Sequence, residues 1–224
     1  MRKFVIFLTI LVFLACLGFG LYTSYKPELT KKQAEGDNSA QMVTPVSQFQ
    51  NNYLVIHVDD LTADAPQLIS VWGLIAYFPE PKLIFQALYP LATATNADIQ
   101  SRYALSSQKV PDPVFLRTLE QVNQITWDNY ILLDNLAFDQ LGLFVYGGGL
   151  NIESVTNPLP AEQSYMQTLC DTFSIQGRNF LEGFQWKEII PDHFRSNVSM
   201  DFGLVNIDRL LSPGLQVRCE IFGY

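Results

Sequence analysis

The sequence predicts an α/β fold in which helices cover a β-sheet, preceded by one N-terminal transmembrane helix. After residue 52, short apolar runs rich in β-branched and aromatic residues alternate with stretches of helical periodicity. That alternation is typical of a sheet covered by helices. Near the start of the chain, residues 4–22 form a nearly unbroken apolar run. As a helix this run would be about 28 Å long, which matches a bilayer core.

The apolar run follows a short basic N-terminus and is interpreted as an uncleaved signal anchor that contacts the membrane. A cleaved signal peptide would have a shorter apolar region and a clear small-residue cleavage site. A lipoprotein modified at Cys16 is a further alternative. The protein is thus expected in the cell membrane as a single-pass protein with its C-terminal domain outside the cytoplasm. The predicted organisation is a signal anchor at 1–22, a polar extracytoplasmic linker at 23–51 and a folded domain at 52–224.

Charge and cysteine content limit the partners and the compartment. The formal net charge is −8 and the pI is about 4.7. We find no basic patch or basic helix, and nucleic acid is therefore excluded as an expected partner. Cys170 and Cys219 either form a disulfide outside the cytoplasm or remain two thiols of the core. The sequence leaves these two alternatives open.

The first half of the domain is predicted to contain three strands. Residues 53–58 form a short apolar run that stops at Asp59, as expected of a buried strand. Residues 67–77 and 82–88 are apolar runs on either side of a proline-rich turn, and this pattern predicts a hairpin. Residues 96–108 are polar and without periodicity, so the chain is expected to be irregular there.

The second half is predicted to alternate between helices and strands. Asp112 followed by Pro113 indicates a helix start, because aspartate caps helices and proline favours their first turn. Apolar residues then continue at helical spacing to Ile125. The other predicted elements are a strand at 129–133, a helix at 135–144, a glycine turn at 147–149, a strand at 150–155, helices around 166–173 and at 178–189, a capped helix at 200–211 and a last strand at 215–222.

Carboxylates follow the first predicted strand. Ligands of open α/β sheets bind beyond the carboxyl ends of the strands, so Asp59, Asp60 and Asp64 are the first candidates for chemistry. Asp59 and Asp64 are the candidate ligands of a divalent cation, and a solvated turn is the alternative. His57 and His193 show no metal-ligand spacing and are interpreted as structural.

The order of these elements resembles the LytR-CpsA-Psr family of bacterial envelope proteins. Residues 55–59 resemble the first strand of the family, which ends in Gly-x-Asp, and residues 83–93 resemble the strand that ends in Pro-Arg-Asp-Thr. Residues 125–152 are similar to its stretch of strand, short helix and Gly-Gly turn. Residues 196–199 resemble the start of its C-terminal part. The resemblance runs through nearly the whole domain and rests on the shared order of these segments.

The resemblance implies a three-layer α/β/α sandwich with a central mixed sheet that holds a polyprenyl-phosphate lipid in an apolar pocket. It also implies an activity, because active members of the family transfer a glycopolymer from a lipid pyrophosphate carrier to peptidoglycan with the help of Mg²⁺. If this chain is active, Asp59, Asp64 and Arg178 are the catalytic candidates. Asp59 and Asp64 are then the candidate Mg²⁺ ligands.

This chain departs from the family where the phosphate would bind. Leu91 and Ala92 stand in place of Arg-Asp, and Leu61 stands where an arginine usually follows Asp59. The arginine-rich segment expected further on is reduced to Arg178. A pyrophosphate needs arginines for bidentate, charge-assisted hydrogen bonds. We therefore predict an inactive relative of a glycopolymer phosphotransferase.

The sequence thus predicts a pseudoenzyme of the cell envelope that binds a polyprenyl-phosphate lipid or an envelope protein without catalysis. An active phosphotransferase is one alternative. A structural or assembly module of an envelope complex is another. Four aromatic residues are candidates for lining a lipid pocket, although ordinary core packing is the preferred interpretation. They are Phe173, Phe180, Phe184 and Trp186.

Overall fold

The computed structural model describes residues 49–91, 95–147, 158–211 and 214–222. The predicted signal anchor, all but the last three residues of the predicted linker and the predicted strand at 150–155 lie outside the described residues. Within the described ranges, no helix is both long enough and apolar enough to cross a membrane.

Six strands form one mixed sheet. They are β1 (Gln50–Val58), β2 (Leu68–Tyr77), β3 (Lys82–Tyr89), β4 (Asn129–Asp134), β5 (Phe194–Ser196) and β6 (Arg218–Phe222). Their order across the sheet is β5-β4-β1-β2-β3-β6. The pairs β1–β4 and β3–β6 are parallel, and the other three pairs are antiparallel. The predicted α/β class and the hairpin of β2 and β3 are therefore confirmed, and the sheet begins two residues inside the predicted linker.

The described helices follow most of the predicted pattern. They are α1 (Thr95–Arg102), α2 (Pro113–Asn123), α3 (Asn135–Tyr146), α4 (Leu159–Gln176), α5 (Arg178–Gly183) and α6 (Met200–Leu211), with a 3-10 helix at Trp186–Glu188. Asp112 caps α2 as predicted, because its carboxylate accepts a hydrogen bond of 2.6 Å from the Val114 N–H. Ser199 caps α6 by accepting one of 3.2 Å from the Phe202 N–H.

Two helical segments differ from the sequence prediction, and strand β5 (Phe194–Ser196) was not predicted at all. The stretch at 96–108 contains α1, which is polar apart from the fully buried Ile99, so no apolar periodicity marks this helix. The single helix predicted at 178–189 is divided. Phe184 adopts an extended backbone (φ −83°, ψ 140°), which ends α5 before the 3-10 helix begins.

Alternate side chains of β1 pack against different groups of helices. Leu54, Ile56 and Val58 belong to a buried apolar cluster with residues of α1 and α2, and we call this side of the sheet the packed face. Tyr53 and Val55 belong to the clusters on the opposite side, together with residues of α3 to α6. We call this second side the cavity face.

A disulfide joins two elements of the cavity face. Cys170 of α4 is bonded to Cys219 of β6, across a sequence separation of 49 residues. The structure thus decides between the two alternatives that the sequence left open. The bond fixes the longest described helix to the edge strand of the sheet.

Candidate functional site

An apolar cavity of about 410 Å³ lies between the cavity face of the sheet and helices α3 to α6. Side chains of β1 to β4 form one wall, and the helices form the other. Its volume lies in the range of small-molecule binding sites, which are mostly apolar and concave. Lining side chains from both walls include Val55, Phe85, Leu133, Leu141, Met166 and Leu204.

Three of the four aromatic residues selected from the sequence line this cavity. They are Phe173, Phe180 and Trp186. The fourth, Phe184, packs edge to face against Trp186 with ring centroids 4.8 Å apart. Phe173 and Phe180 are also buried members of an apolar cluster. The same side chains are therefore core and cavity wall, so the preferred interpretation as ordinary core was incomplete.

Helix α6 leaves space for the cavity at Gly203. A Cβ atom added there would meet only Val198 Cγ1 within 4 Å, at 3.9 Å. One turn further on, Asn206 is polar but bonded. Its Oδ1 accepts a hydrogen bond of 2.8 Å from Asn51, and its Nδ2 donates one of 3.3 Å to the Tyr53 hydroxyl. Asn206 therefore fixes α6 to β1 without leaving its amide unpaired in the apolar wall.

Asp59 and Asp60, which follow β1, stabilise their own loop by accepting hydrogen bonds from other residues of the loop. Asp59 Oδ1 accepts hydrogen bonds from the backbone N–H groups of Asp60 (2.7 Å) and Gln67 (2.6 Å). Asp60 Oδ1 accepts from the hydroxyl (2.7 Å) and the N–H (2.8 Å) of Thr62. These two bonds lower the pKa of the Asp60 carboxyl below its ordinary value, and the bond from the Thr62 hydroxyl has the larger effect. Asp64 is exposed on the same loop.

The structure brings together three titratable side chains that the sequence did not group. One ligand atom from each of Asp60, Asp134 and His193 lies within 4.8 Å of the others. Asp134 is buried at the end of β4, and its Oδ2 lies 2.8 Å from His193 Nδ1. The three residues come from distant parts of the chain, and the sequence carries no spacing that would connect them.

A buried polar network centres on Glu162 of α4. Its Oε1 lies 2.7 Å from His57 Nδ1, and its Oε2 accepts a hydrogen bond of 2.6 Å from Trp72 Nε1. The other ring nitrogen of His57 lies 3.1 Å from Asn135 Oδ1. His57, Trp72 and Glu162 are fully buried. The network joins β1, β2, α3 and α4, and it supports the structural role predicted for His57.

Comparison with known proteins finds similarity at the level of the fold. No family model matches the sequence, and no curated protein matches it. Among solved structures, TagV from Bacillus subtilis is similar with a TM-score of 0.52 and 12% identity, over 78% of this chain and 85% of TagV. TagV is a LytR-CpsA-Psr protein. This chain has the LytR-CpsA-Psr fold.

Two further Bacillus subtilis structures are similar over most of their length. The transcriptional regulator yvhJ has a TM-score of 0.50 and 15% identity, over 78% of this chain and 81% of yvhJ. The protein ywtF has a TM-score of 0.50 and 9% identity, over 89% of this chain and 86% of ywtF. The resemblance inferred from the order of sequence segments is thus confirmed for the fold.

The trio of Asp60, Asp134 and His193 does not fit the Mg²⁺ that the LytR-CpsA-Psr resemblance implies. Mg²⁺ requires oxygen ligands in near-ideal octahedral geometry. Asp134 already accepts hydrogen bonds from the N–H groups of Leu61 (3.1 Å) and Ala137 (3.0 Å), in addition to contacting His193. Three of its roughly four lone-pair sites are therefore in use. The predicted Mg²⁺ role of Asp59 and Asp64, which are not members of this trio, stays a prediction.

The positions that carry arginine in the LytR-CpsA-Psr pattern have apolar surroundings here. Leu61 is 1% exposed and belongs to the cluster of the packed face. Leu91 packs against the main cluster of the cavity face, and Ala92 lies outside the described residues.

The one arginine that the sequence assigned to the site is already paired. Arg178 is half-exposed at the start of α5. Its guanidinium bonds Glu182 at 3.0 Å and Asp208 at 3.4 Å. Neither of these partners belongs to the loop of Asp59 and Asp64, and the predicted role of Arg178 in catalysis stays a prediction.

Proposed function

We propose that this chain is a membrane-anchored envelope protein that binds a polyprenyl-phosphate lipid in the apolar cavity and does not transfer a glycopolymer. Residues 4–22 are the proposed anchor, with the folded domain outside the cytoplasm. The cavity is the observation that carries the proposal. The LytR-CpsA-Psr fold supports the same ligand class, because the family resemblance implies a lipid pocket.

The chemistry of the cavity wall favours a long apolar chain as the ligand. Burial of apolar surface contributes roughly 25 cal/mol per Å², and the wall offers few polar groups that would orient a small polar ligand. Aromatic, leucine and methionine side chains surround the space from both the sheet and the helices. A flexible hydrocarbon gains from contact with all of them. An isoprenoid chain meets this requirement.

The lack of catalysis is proposed from the three positions at which an active relative would carry a phosphate-binding arginine. Phosphoryl transfer depends on cationic groups that stabilise the developing charge. Leu61 is buried where the family pattern places an arginine, and the partly buried Leu91 packs against the core. The charge of Arg178 is balanced by two carboxylates. The three positions that would supply this stabilisation in an active relative therefore offer no uncompensated cation.

Lipid extracted from the purified full-length chain tests the proposal. Gly203→Leu places a side chain in the cavity, whereas Gly203→Ala adds one methyl group, and both raise the helix propensity of α6. We expect polyprenyl phosphate, quantified by mass spectrometry per mole of protein, with wild type and Gly203→Ala. We expect at least a five-fold loss with Gly203→Leu. Equal amounts of polyprenyl phosphate per mole of all three proteins would show that the lipid is bound nonspecifically and was carried through the purification with the detergent.

Two other outcomes would replace the proposal. Mg²⁺-dependent release of phosphate from a polyprenyl pyrophosphate, lost in Asp59→Ala, would indicate an active phosphotransferase. Absence of lipid from every extract, together with stoichiometric retention of an envelope protein, would indicate the assembly module.

A further inference from the structure

A second pocket, of about 360 Å³, lies directly beside the apolar cavity. Both spaces are lined by Ile190, Phe194, Ser196 and Val198. These residues belong to β5 and to the segments on either side of it, so this edge of the sheet forms a shared wall. Two cationic side chains line the second pocket, Lys109 and Arg195. We call it the cationic pocket.

Neutral carbonyl groups hold both cations in position. Arg195 donates from Nε to the Pro191 carbonyl (3.0 Å) and from Nη1 to the Gln108 carbonyl (2.6 Å). Lys109 Nζ donates to two carbonyls of the loop between β1 and β2. Across the residues that the structure describes, neither side chain forms an ion pair with a carboxylate. The two positive charges are thus positioned but not compensated.

The backbone at Lys109 is strained. Its φ is +57°, a left-handed conformation that is unfavourable for a residue with a side chain. Ser106 maintains the turn: its carbonyl accepts from the Lys109 N–H at 2.8 Å, and its hydroxyl accepts from the Val110 N–H at 3.1 Å. Glycine would adopt this conformation without the cost.

We propose that the cationic pocket binds the phosphate group of the lipid whose chain occupies the apolar cavity. This inference rests on the proposed function. A lipid phosphate consists of a long apolar chain and a compact anionic group. The apolar cavity suits the chain, and the cationic pocket beside it, across β5, suits the anionic group. The guanidinium of Arg195 suits charge-assisted bonds to phosphate oxygens, and Lys109 supplies a point charge.

The charge of these two cations is opposite in sign to the net charge of the chain. The whole chain carries a net charge of −8, which disfavours the approach of an anion at long range. Arg102 and Arg178 are both paired with carboxylates. Lys109 and Arg195 both line the cationic pocket and so place positive charge beside the cavity, without the arginines of the family pattern. The phosphate of a polyprenyl phosphate is the group that this potential fits.

Calorimetric titration of the full-length chain in detergent tests the inference. The probes are farnesyl phosphate, farnesol with the same chain, and inorganic phosphate alone. Arg195→Gln removes the guanidinium charge, and Lys109→Gly removes the ammonium while relieving the backbone strain, so folding should be retained. Arg102→Gln is the matched control, because Arg102 is an exposed arginine of α1 paired with Asp98.

We expect wild type and Arg102→Gln to bind farnesyl phosphate at least ten-fold more tightly than farnesol. In Arg195→Gln and Lys109→Gly this preference should fall three-fold or more, while the affinity for farnesol stays unchanged. Equal affinities of the wild type for farnesyl phosphate and farnesol would overturn the inference and leave the lipid cavity intact. Inorganic phosphate that binds as tightly as farnesyl phosphate would overturn it in favour of a free-phosphate site. No binding of either farnesyl compound would overturn both this inference and the proposed function.

Discussion

The two faces of the sheet are stabilised by different kinds of interaction. On the packed face, helices α1 and α2 cover β1 with side chains such as Phe115 and Leu119, which are fully buried. Two buried polar atoms of this face, the Tyr103 hydroxyl and Trp127 Nε1, have no hydrogen-bond partner within the described part of the chain. This face is thus covered mainly by apolar packing, and a third buried atom without a partner in the described residues, Ser70 Oγ, lies on β2 opposite His57.

The cavity face relies on directional bonds. The disulfide joins α4 to β6, Glu162 joins α4 to β1 and β2, and Asn206 joins α6 to β1. Side chains beside a cavity lose the dispersion contacts that neighbouring atoms would have supplied. Specific bonds hold the helices where that packing is missing. The helices that border the cavity are thus tied to the sheet by specific bonds.

The largest effect is expected from the polar network of the cavity face. Glu162→Ala leaves His57 and Trp72 buried without their acceptor, so we expect the free energy of unfolding to fall by about 3–5 kcal/mol. Glu162→Gln keeps one acceptor oxygen and should cost less. Urea unfolding of the folded domain measures both changes. A loss below about 1 kcal/mol for Glu162→Ala would show that the network does not stabilise this face.

Removal of equivalent aromatic rings compares the two faces directly. Phe115→Ala on the packed face should cost about 3–5 kcal/mol, the range for large-to-small core substitutions. Phe180→Ala should cost about half as much, because one side of that ring already borders the cavity. Urea unfolding under identical conditions measures both values. Equal losses would mean that the cavity wall is as tightly packed as the other face.

Loss of the disulfide should weaken the cavity face. The double variant Cys170→Ala, Cys219→Ala opens a loop of 49 residues, for which we expect a loss of about 2–4 kcal/mol. Hydrogen exchange should show that amides of α4 and β6 lose protection, whereas those of α2 keep it. Uniform loss of protection in all three elements would argue against separate stabilisation of the two faces.

The smallest effects are expected from two buried tyrosines. Tyr165 of the cavity face donates to the Phe138 carbonyl at 3.2 Å, so Tyr165→Phe should cost about 1 kcal/mol. The Tyr103 hydroxyl on the packed face has no partner in the described structure. Tyr103→Phe should be neutral or stabilise by up to about 1 kcal/mol. Thermal unfolding of both variants at neutral pH measures whether stability falls in Tyr165→Phe and is unchanged or rises in Tyr103→Phe.

Alkaline titration gives a second readout for Tyr103. Burial raises the pKa of its phenol, and the charge of Asp59 raises it further. The unfolded chain therefore releases this proton near pH 10, before the folded chain does. The contribution of the neutral Tyr103 phenol to the free energy of unfolding is fully present below about pH 10 and is lost as the pH rises above that value. In Tyr103→Phe this loss should be smaller, and an unchanged alkaline profile would contradict the assignment.

Local sequence signals predicted much of the fold. Asp112 with Pro113 marked the start of α2, and a proline-rich turn marked the hairpin of β2 and β3. These signals work because capping and turn formation involve neighbouring residues. Helix α1 was missed because Ile99 is its one fully buried apolar side chain. The helix predicted at 178–189 is divided at Phe184, directly after Gly183, and this glycine is a helix-ending signal that the prediction did not take into account.

The sites were harder to predict because they combine distant segments. Aromatic composition pointed to Phe180 and Trp186, but not to the space between the helices and the sheet. Lys109 and Arg195 line one pocket only because β5 pairs with β4 and the loop before α2 lies beside it. No spacing rule connects residues that meet through the tertiary fold. The carboxylates after β1 were identified from the sequence, but the hydrogen bonds by which Asp59 and Asp60 stabilise the loop were not.

Photolabelling can locate the lipid-binding site in the folded protein. The probe is a long-chain prenyl phosphate with a diazirine on its chain, added to the full-length protein and mapped by peptide mass spectrometry. We predict adducts on α4 and α6, which line the cavity, and none on α2 of the packed face. Labelling should fall sharply in Gly203→Leu and persist in Gly203→Ala. Labelling of α2 equal to that of α4, or labelling unchanged in Gly203→Leu, would contradict the claim that the cavity is the lipid site.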